Sequence, residues 1–149
     1  MYTMYDSRSQ TDIYDILYRN HYERQVSLFD RLIRKHNPPG NRLLDMCCGT
    51  GTHLNIYKEL GYDVTGVDLS EAMLDKAKKN APSVTLIRGD MRSFVPEKKF
   101  DVITCSSFSI MENTNFDDLT ATFINFFKES VLNNFPILIY WNCTIIPFG

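Results

Sequence analysis

One stretch confines this chain to a narrow set of folds: Leu43-Leu44-Asp45-Met46-Cys47-Cys48-Gly49-Thr50-Gly51-Thr52-His53. A short apolar run closes on an acid, passes through small residues with two spaced glycines, and enters a helix-forming stretch at 54–60. Such text specifies a buried strand that turns sharply into a helix and leaves backbone amides open at the helix start. Gly49 and Gly51 supply the unusual dihedrals of the turn and let a ligand reach the main chain without meeting a Cβ. A second apolar run, 62–68, closes on Asp68 at the distance where nucleotide-binding folds place a ribose-binding carboxylate. The glycine pair alone says little. The acids on either side of it make the turn a candidate site.

The rest of the chain repeats the same grammar. Apolar residues recur at helical spacing over 11–36, and Asn37-Pro38-Pro39-Gly40 ends that helix. Strands are predicted at 42–47, 63–68, 84–88 and 100–105. Helices are predicted at 52–60, at 71–80 behind the N-cap Ser70, and at 115–132. Residues 136–146 form a long apolar, β-branched run, read as one outer strand. Alternating strands and helices with near-continuously apolar strands specify an α/β fold with a doubly wound parallel sheet. Right-handed crossovers give the order 3-2-1-4-5, all parallel, with 42–47 central. At 149 residues this is a single domain, 1–149, with a helical segment at 1–40 and the sheet core at 41–149.

Composition narrows the partners. A formal net charge of −2 offers no field for nucleic acid or an anionic membrane, and no apolar run approaches a membrane span. Cys47, Cys48, Cys105 and Cys143 lack metal-finger spacing and read as reduced thiols of a cytoplasmic protein; no metal is expected.

In an open parallel sheet a ligand lies over the carboxyl ends of the strands. Asp45 ends the first strand, Asp68 the second, Asp90 follows the third, and Ser106 follows the fourth. With these residues in place, the chain resembles class I S-adenosylmethionine-dependent methyltransferases over residues 14–139. Asp45, Cys47, Gly49 and Gly51 match the family's first motif, Cys47 standing where a glycine is usual. Asp68 matches the second acid, Asp90-Met91 the third motif, and Phe100-Asp101 the usual opening of the fourth strand. Tyr14-Asp15-Ile16-Leu17-Tyr18, residues 48–53 and Gly89-Asp90-Met91-Arg92 are similar to enzymes that dimethylate nucleotide-linked amino sugars.

The resemblance implies a cofactor, S-adenosylmethionine, and a small-molecule acceptor, possibly an amine. It assigns the ribose hydroxyls to Asp68, the adenine amino group to Asp90, and the faces of the adenine ring to Leu69 and Met91. The amides at 49–52 suit the cofactor's carboxylate, and Asp45 its ammonium. Tyr14 is either a flap over the cofactor or a core residue of an amphipathic helix. Ser106 either borders the sulfonium or is a loop hydroxyl. His53 reads as a helix-start residue, His21 and His36 as solvated, and no catalytic base is identified. A nicotinamide-dependent oxidoreductase fits less well, because its fingerprint needs a third glycine where Leu54 stands.

The resemblance lapses near the end of the sequence. The family continues past its fifth strand with two more strands, which this chain is expected to lack, and residues 140–149 match nothing in it. A truncated or frame-shifted reading, or a short domain completed by another chain, would account for this. An inactive module that only holds the cofactor is therefore the alternative function. An uncovered strand at 137–146 is expected to self-associate, and Ile139→Lys or Trp141→Lys to restore solubility.

Overall fold

The structure, a computed structural model, describes residues 8–106, 109–130, 137–141 and 144–148, with side chains for 22–106 and 109–130. Helix α1 (Arg8–His36) leads into β1 (Arg42–Met46), α2 (Thr52–Glu59), β2 (Asp63–Asp68), α3 (Glu71–Asn80) and β3 (Thr85–Arg88). Then come β4 (Val102–Cys105), a 3-10 turn (Ser109–Glu112), α4 (Phe116–Glu129), β5 (Ile137–Trp141) and β6 (Thr144–Phe148). The sheet runs β3-β2-β1-β4-β5-β6, and its first five strands are parallel in the expected order.

The end of the sheet departs from expectation. The segment read as one long outer strand is two strands, with β6 antiparallel to β5 and Tyr140 opposite Ile145. The sheet thus has one antiparallel strand beyond β5, where none was expected. Pro147 lies within β6, in register with Leu138. A proline has no N–H to give a ladder, so it is tolerated on an edge strand and blunts that edge. Residues 137–139 of β5 are paired on both sides and Trp141 pairs with Thr144 of β6, so neither Ile139 nor Trp141 lies on the outer edge of the sheet.

Local chemistry accounts for the helices that frame the site. Ser70 caps α3 by accepting from the Met73 amide, and Asn115 caps α4 by accepting from the Asp118 amide at 2.8 Å. Side chains alternate across β1. Leu43 packs with Val26, Phe29 and Ile33 of α1 and with Leu54 and Tyr57 of α2. Leu44 and Met46 pack on the other face with Ile103 and with Phe126 of α4. Burying each such side chain contributes roughly 1.5–3 kcal/mol, so the centre of the sheet is held firmly from both faces. Its carboxyl ends are thereby a rigid platform.

Candidate functional site at the carboxyl ends of β1, β2 and β4

The turn after β1 is built from alternating left-handed residues: Cys47 at φ 61°, Gly49 at 55° and Gly51 at 79°. Cys47 adopts the conformation usually given to glycine, at a cost of about 1–2 kcal/mol. Its thiol lies 3.8 Å from the Met91 sulfur. At Gly51 a Cβ would come within 2.9 Å of the Ala77 Cβ, so the glycine is what lets α2 and α3 approach. At Gly49 a Cβ would meet nothing within 4 Å. That open face is the space a ligand needs to lie on the main chain.

Asp68 ties the turn down. One carboxylate oxygen accepts from the Gly49 amide at 2.8 Å and the other from the Ser70 amide at 2.9 Å. Burial raises its pKa, and the amides of Ser70, Gly49 and Leu69 oppose the rise. A carboxylate has about four acceptor positions, so this pair of bonds leaves room for ligand hydroxyls. Leu69 beside it is 50% exposed.

Asp45 is fully buried on the face shared with Leu43. One oxygen accepts from the Thr104 hydroxyl at 2.8 Å, and the other has no partner among the described residues. Burial drives its pKa up to about 7, against the Thr104 bond and with a smaller push from Asp68.

Asp90 is held by Arg92, whose backbone amide and Nε both donate to Oδ1 at 2.9 Å. The guanidinium keeps the Asp90 carboxyl below its ordinary range. Arg92 also reaches Asp118 on α4 at 3.0 Å, linking the loop to that helix. Met91 is buried, and Asn125 of α4 donates to the Met91 and Phe94 carbonyls at 3.1 and 2.9 Å.

Between Tyr22 of α1, the 47–50 turn, Thr52 and His53 on α2, and Ser106 and Ser109 beyond β4 lies a pocket. His53 is buried in its wall, and that burial lowers its pKa to about 4. It is therefore a neutral, hydrogen-bonded side chain rather than a simple helix-start residue.

The structure thus gathers Asp45, Cys47, Gly49, Gly51, Asp68, Leu69, Asp90, Met91 and Ser106 around the carboxyl ends of the strands. Tyr14 falls within α1, and its side chain lies outside the described residues, as does that of His21. His36 is exposed. Gln25 and Asn125 went unread in the sequence, and Arg92 stood in a quoted motif without a role. Only Arg92 carried a local signal, an acid two residues before it in a tight loop.

Fold and site together define a Rossmann-like α/β domain of the methyltransferase type. The methyltransferase-domain family matches residues 43–130, and the chain belongs to that family. It is 38% identical over 119 residues to dTDP-3-amino-3,4,6-trideoxy-alpha-D-glucopyranose N,N-dimethyltransferase of Streptomyces venezuelae, a match covering 77% of this chain and 50% of that one. Among solved structures it resembles Streptomyces venezuelae DesVI, with TM-score 0.78 and 33% identity over 86% of this chain and 55% of that one. It also resembles CalS10, an S-adenosylmethionine-bound amino pentose methyltransferase from Micromonospora echinaspora, with TM-score 0.76, 27% identity and coverage of 87% and 55%. The chain spans about half the length of the relatives it matches.

Proposed function

We propose that this chain is an S-adenosylmethionine-binding domain, residues 1–149, of an enzyme that methylates the amine of a small, sugar-like acceptor. The observation that carries the reading is the pairing of an open glycine turn with two differently prepared carboxylates. The residues fit the cofactor on physical grounds. The unpartnered, buried oxygen of Asp45 suits an ammonium donor, and binding a cation would favour its charged form. Asp68, anchored by two amides, retains acceptor positions for a pair of hydroxyls. Asp90, oriented by Arg92, suits an amino group, and Leu69 and Met91 supply apolar surface for a ring.

S-adenosylmethionine, when bound, supplies an electrophilic methyl carbon on a positively charged sulfur. The chain's share is positioning, which accounts for a large part of rate enhancement in such transfers. An amine acceptor must reach the site unprotonated, and the family resemblance leaves its base unassigned. The amino-sugar relatives support an amine acceptor over an oxygen or carbon one. We read the protein as cytoplasmic. The free thiols of Cys47, Cys48 and Cys105 support this, and no described helix is long and apolar enough to cross a membrane. Self-association, expected through 137–146, is proposed for the outer edge of β6.

Calorimetry of the purified chain with S-adenosylmethionine, S-adenosylhomocysteine and NAD tests the reading. Binding of the first two and not the third is expected. Binding of NAD alone would return the oxidoreductase alternative. Tight cofactor binding without turnover on any amino-sugar nucleotide would favour a module that only holds the cofactor.

A further inference from the structure

Three residues from distant parts of the chain meet at the pocket wall. Gln25 of α1 places its carbonyl oxygen 2.9 Å from His53 Nε2. Ser106, just past β4, has its hydroxyl oxygen 3.3 Å from His53 Nδ1. The ring of Tyr22 meets the imidazole edge-on at 4.7 Å with an interplanar angle of 80°. The imidazole is thus fixed in plane and in tilt.

The protons follow from the donor inventory. A glutamine carbonyl only accepts, so Nε2 carries the hydrogen of the neutral ring and Nδ1 presents a lone pair. Ser106 must then donate to Nδ1. A hydroxyl has a single hydrogen, so the side of Ser106 Oγ that faces the pocket offers lone pairs only. No charged side chain lines that pocket among the described residues.

We propose that His53, held by Gln25, is a positioning residue that turns Ser106 Oγ into an obligate acceptor facing the cationic end of the bound cofactor. The inference rests on the cofactor reading above and adds to it a device reaching back to α1. A ring kept neutral by burial suits the role, because a doubly protonated imidazole would donate to Ser106 and turn its hydrogen toward the cation. The titratable groups facing the same space are Tyr22 from α1 and the thiols of Cys47 and Cys48 from the turn. A hydrogen bond with Cys105 and burial raise the pKa of the Cys47 thiol, and burial raises that of Cys48, so neither brings charge near neutrality.

Gln25→Glu is the informative variant. A carboxylate accepting from Nε2–H would stabilise the imidazolium and raise the His53 titration from about 4 by about two units. Between about pH 5.5 and 7, wild-type affinity for S-adenosylmethionine should follow the Asp45 titration alone. In Gln25→Glu it should fall at least about fivefold further as pH drops through the new His53 titration, an effect of the size of one lost hydrogen bond. Adding Ser106→Ala should return the profile to the wild-type shape, which a purely structural bridge would not do. Parallel titrations with S-adenosylhomocysteine distinguish the two cationic sources. Loss for both ligands assigns the contact to the ammonium, and loss for S-adenosylmethionine alone assigns it to the sulfonium methyl.

Nitrogen NMR of wild-type His53 supplies a measurement independent of any variant, and the Nε2–H tautomer is expected. The Nδ1–H tautomer would overturn the proposal. So would a His53 titration unmoved by Gln25→Glu, or one that moves while affinity keeps the wild-type profile. Wild-type binding with such a result would sink this inference alone, whereas no wild-type binding would sink it together with the cofactor reading.

Discussion

Asp45 and Asp68 end neighbouring parallel strands, lie on the same side of the site, and have been given opposite surroundings. Asp68 meets backbone amides at both oxygens, at 2.8 and 2.9 Å, and these favour its anion. Asp45 meets one hydroxyl, leaves its second oxygen without a partner among the described residues, and is pushed to about pKa 7. The difference comes from the turns. After β2 the chain folds back within two residues and offers Ser70 N–H, whereas after β1 the Gly49 amide of the glycine turn is given to β2's acid. A carboxylate at a strand end is therefore not one thing. Its charge state is set by whose amides are spent on it.

The comparison breaks most visibly at Asp68. Asp68→Ala removes both amide anchors and the proposed hydroxyl acceptor, each charge-assisted bond being worth roughly 1.5–3 kcal/mol. At least about a tenfold loss of S-adenosylmethionine affinity is expected by calorimetry, with a lowered unfolding midpoint. Asp63→Ala, at the exposed start of the same strand, should leave both nearly unchanged. Equal behaviour of the two variants would remove Asp68 from its assigned role.

Asp45 sharpens the comparison through pH. Its folded pKa lies above the unfolded value, so the folded chain holds an extra proton between about pH 4 and 7, and stability falls as pH rises through that window. His53 works the other way: its folded pKa of about 4 lies below the unfolded value, so stability is lost as pH falls from 6.5 toward 4. The two slopes oppose each other, each at most about 1.4 kcal/mol per pH unit. Asp45→Asn should remove the falling contribution, so that stability rises more steeply from about pH 4 to 6.5 than in the wild type. Urea midpoints across that range would show it, and an unchanged profile would mean that Asp45 is charged in the folded chain.

A smaller effect is expected at Arg92, which does for Asp90 what amides do for Asp68. Arg92→Gln should weaken cofactor binding by about threefold, since the pair is exposed and screened. A tenfold loss would mean that Arg92 itself contacts the ligand. The least effect falls far from the acids, at the edge of β6. Ile145→Lys should reduce any self-association seen in sedimentation without altering cofactor affinity, because Pro147 already blunts that edge. Association unchanged by the lysine would place the contact elsewhere.

Much of this site was legible because it is local in sequence. The acid-turn-glycine-helix run, the Ser70 and Asn115 caps and the closing acids of β1 and β2 are each written within a few residues, and backbone sterics leave few ways to fold them. The hairpin at the end was missed for a comparable reason. Continuous apolarity over 136–146 hides a reversal whose one local sign is Asn142, a turn-former between two strand-like halves. Residues 25, 53 and 106 are a different case, because nothing in the spacing of a glutamine, a histidine and a serine says that they touch.

By itself, then, the sequence determined the order of the five parallel strands and the positions of the acids, because right-handed crossovers between near-continuously apolar strands leave few arrangements. Tertiary structure alone decided what each acid is bonded to, and so what opposes the rise that burial gives each pKa. It also decided that His53 is a buried, neutral link between α1 and the site. Those properties depend on desolvation and on donors within about 3 Å, and both arise only when segments far apart in the chain are packed together.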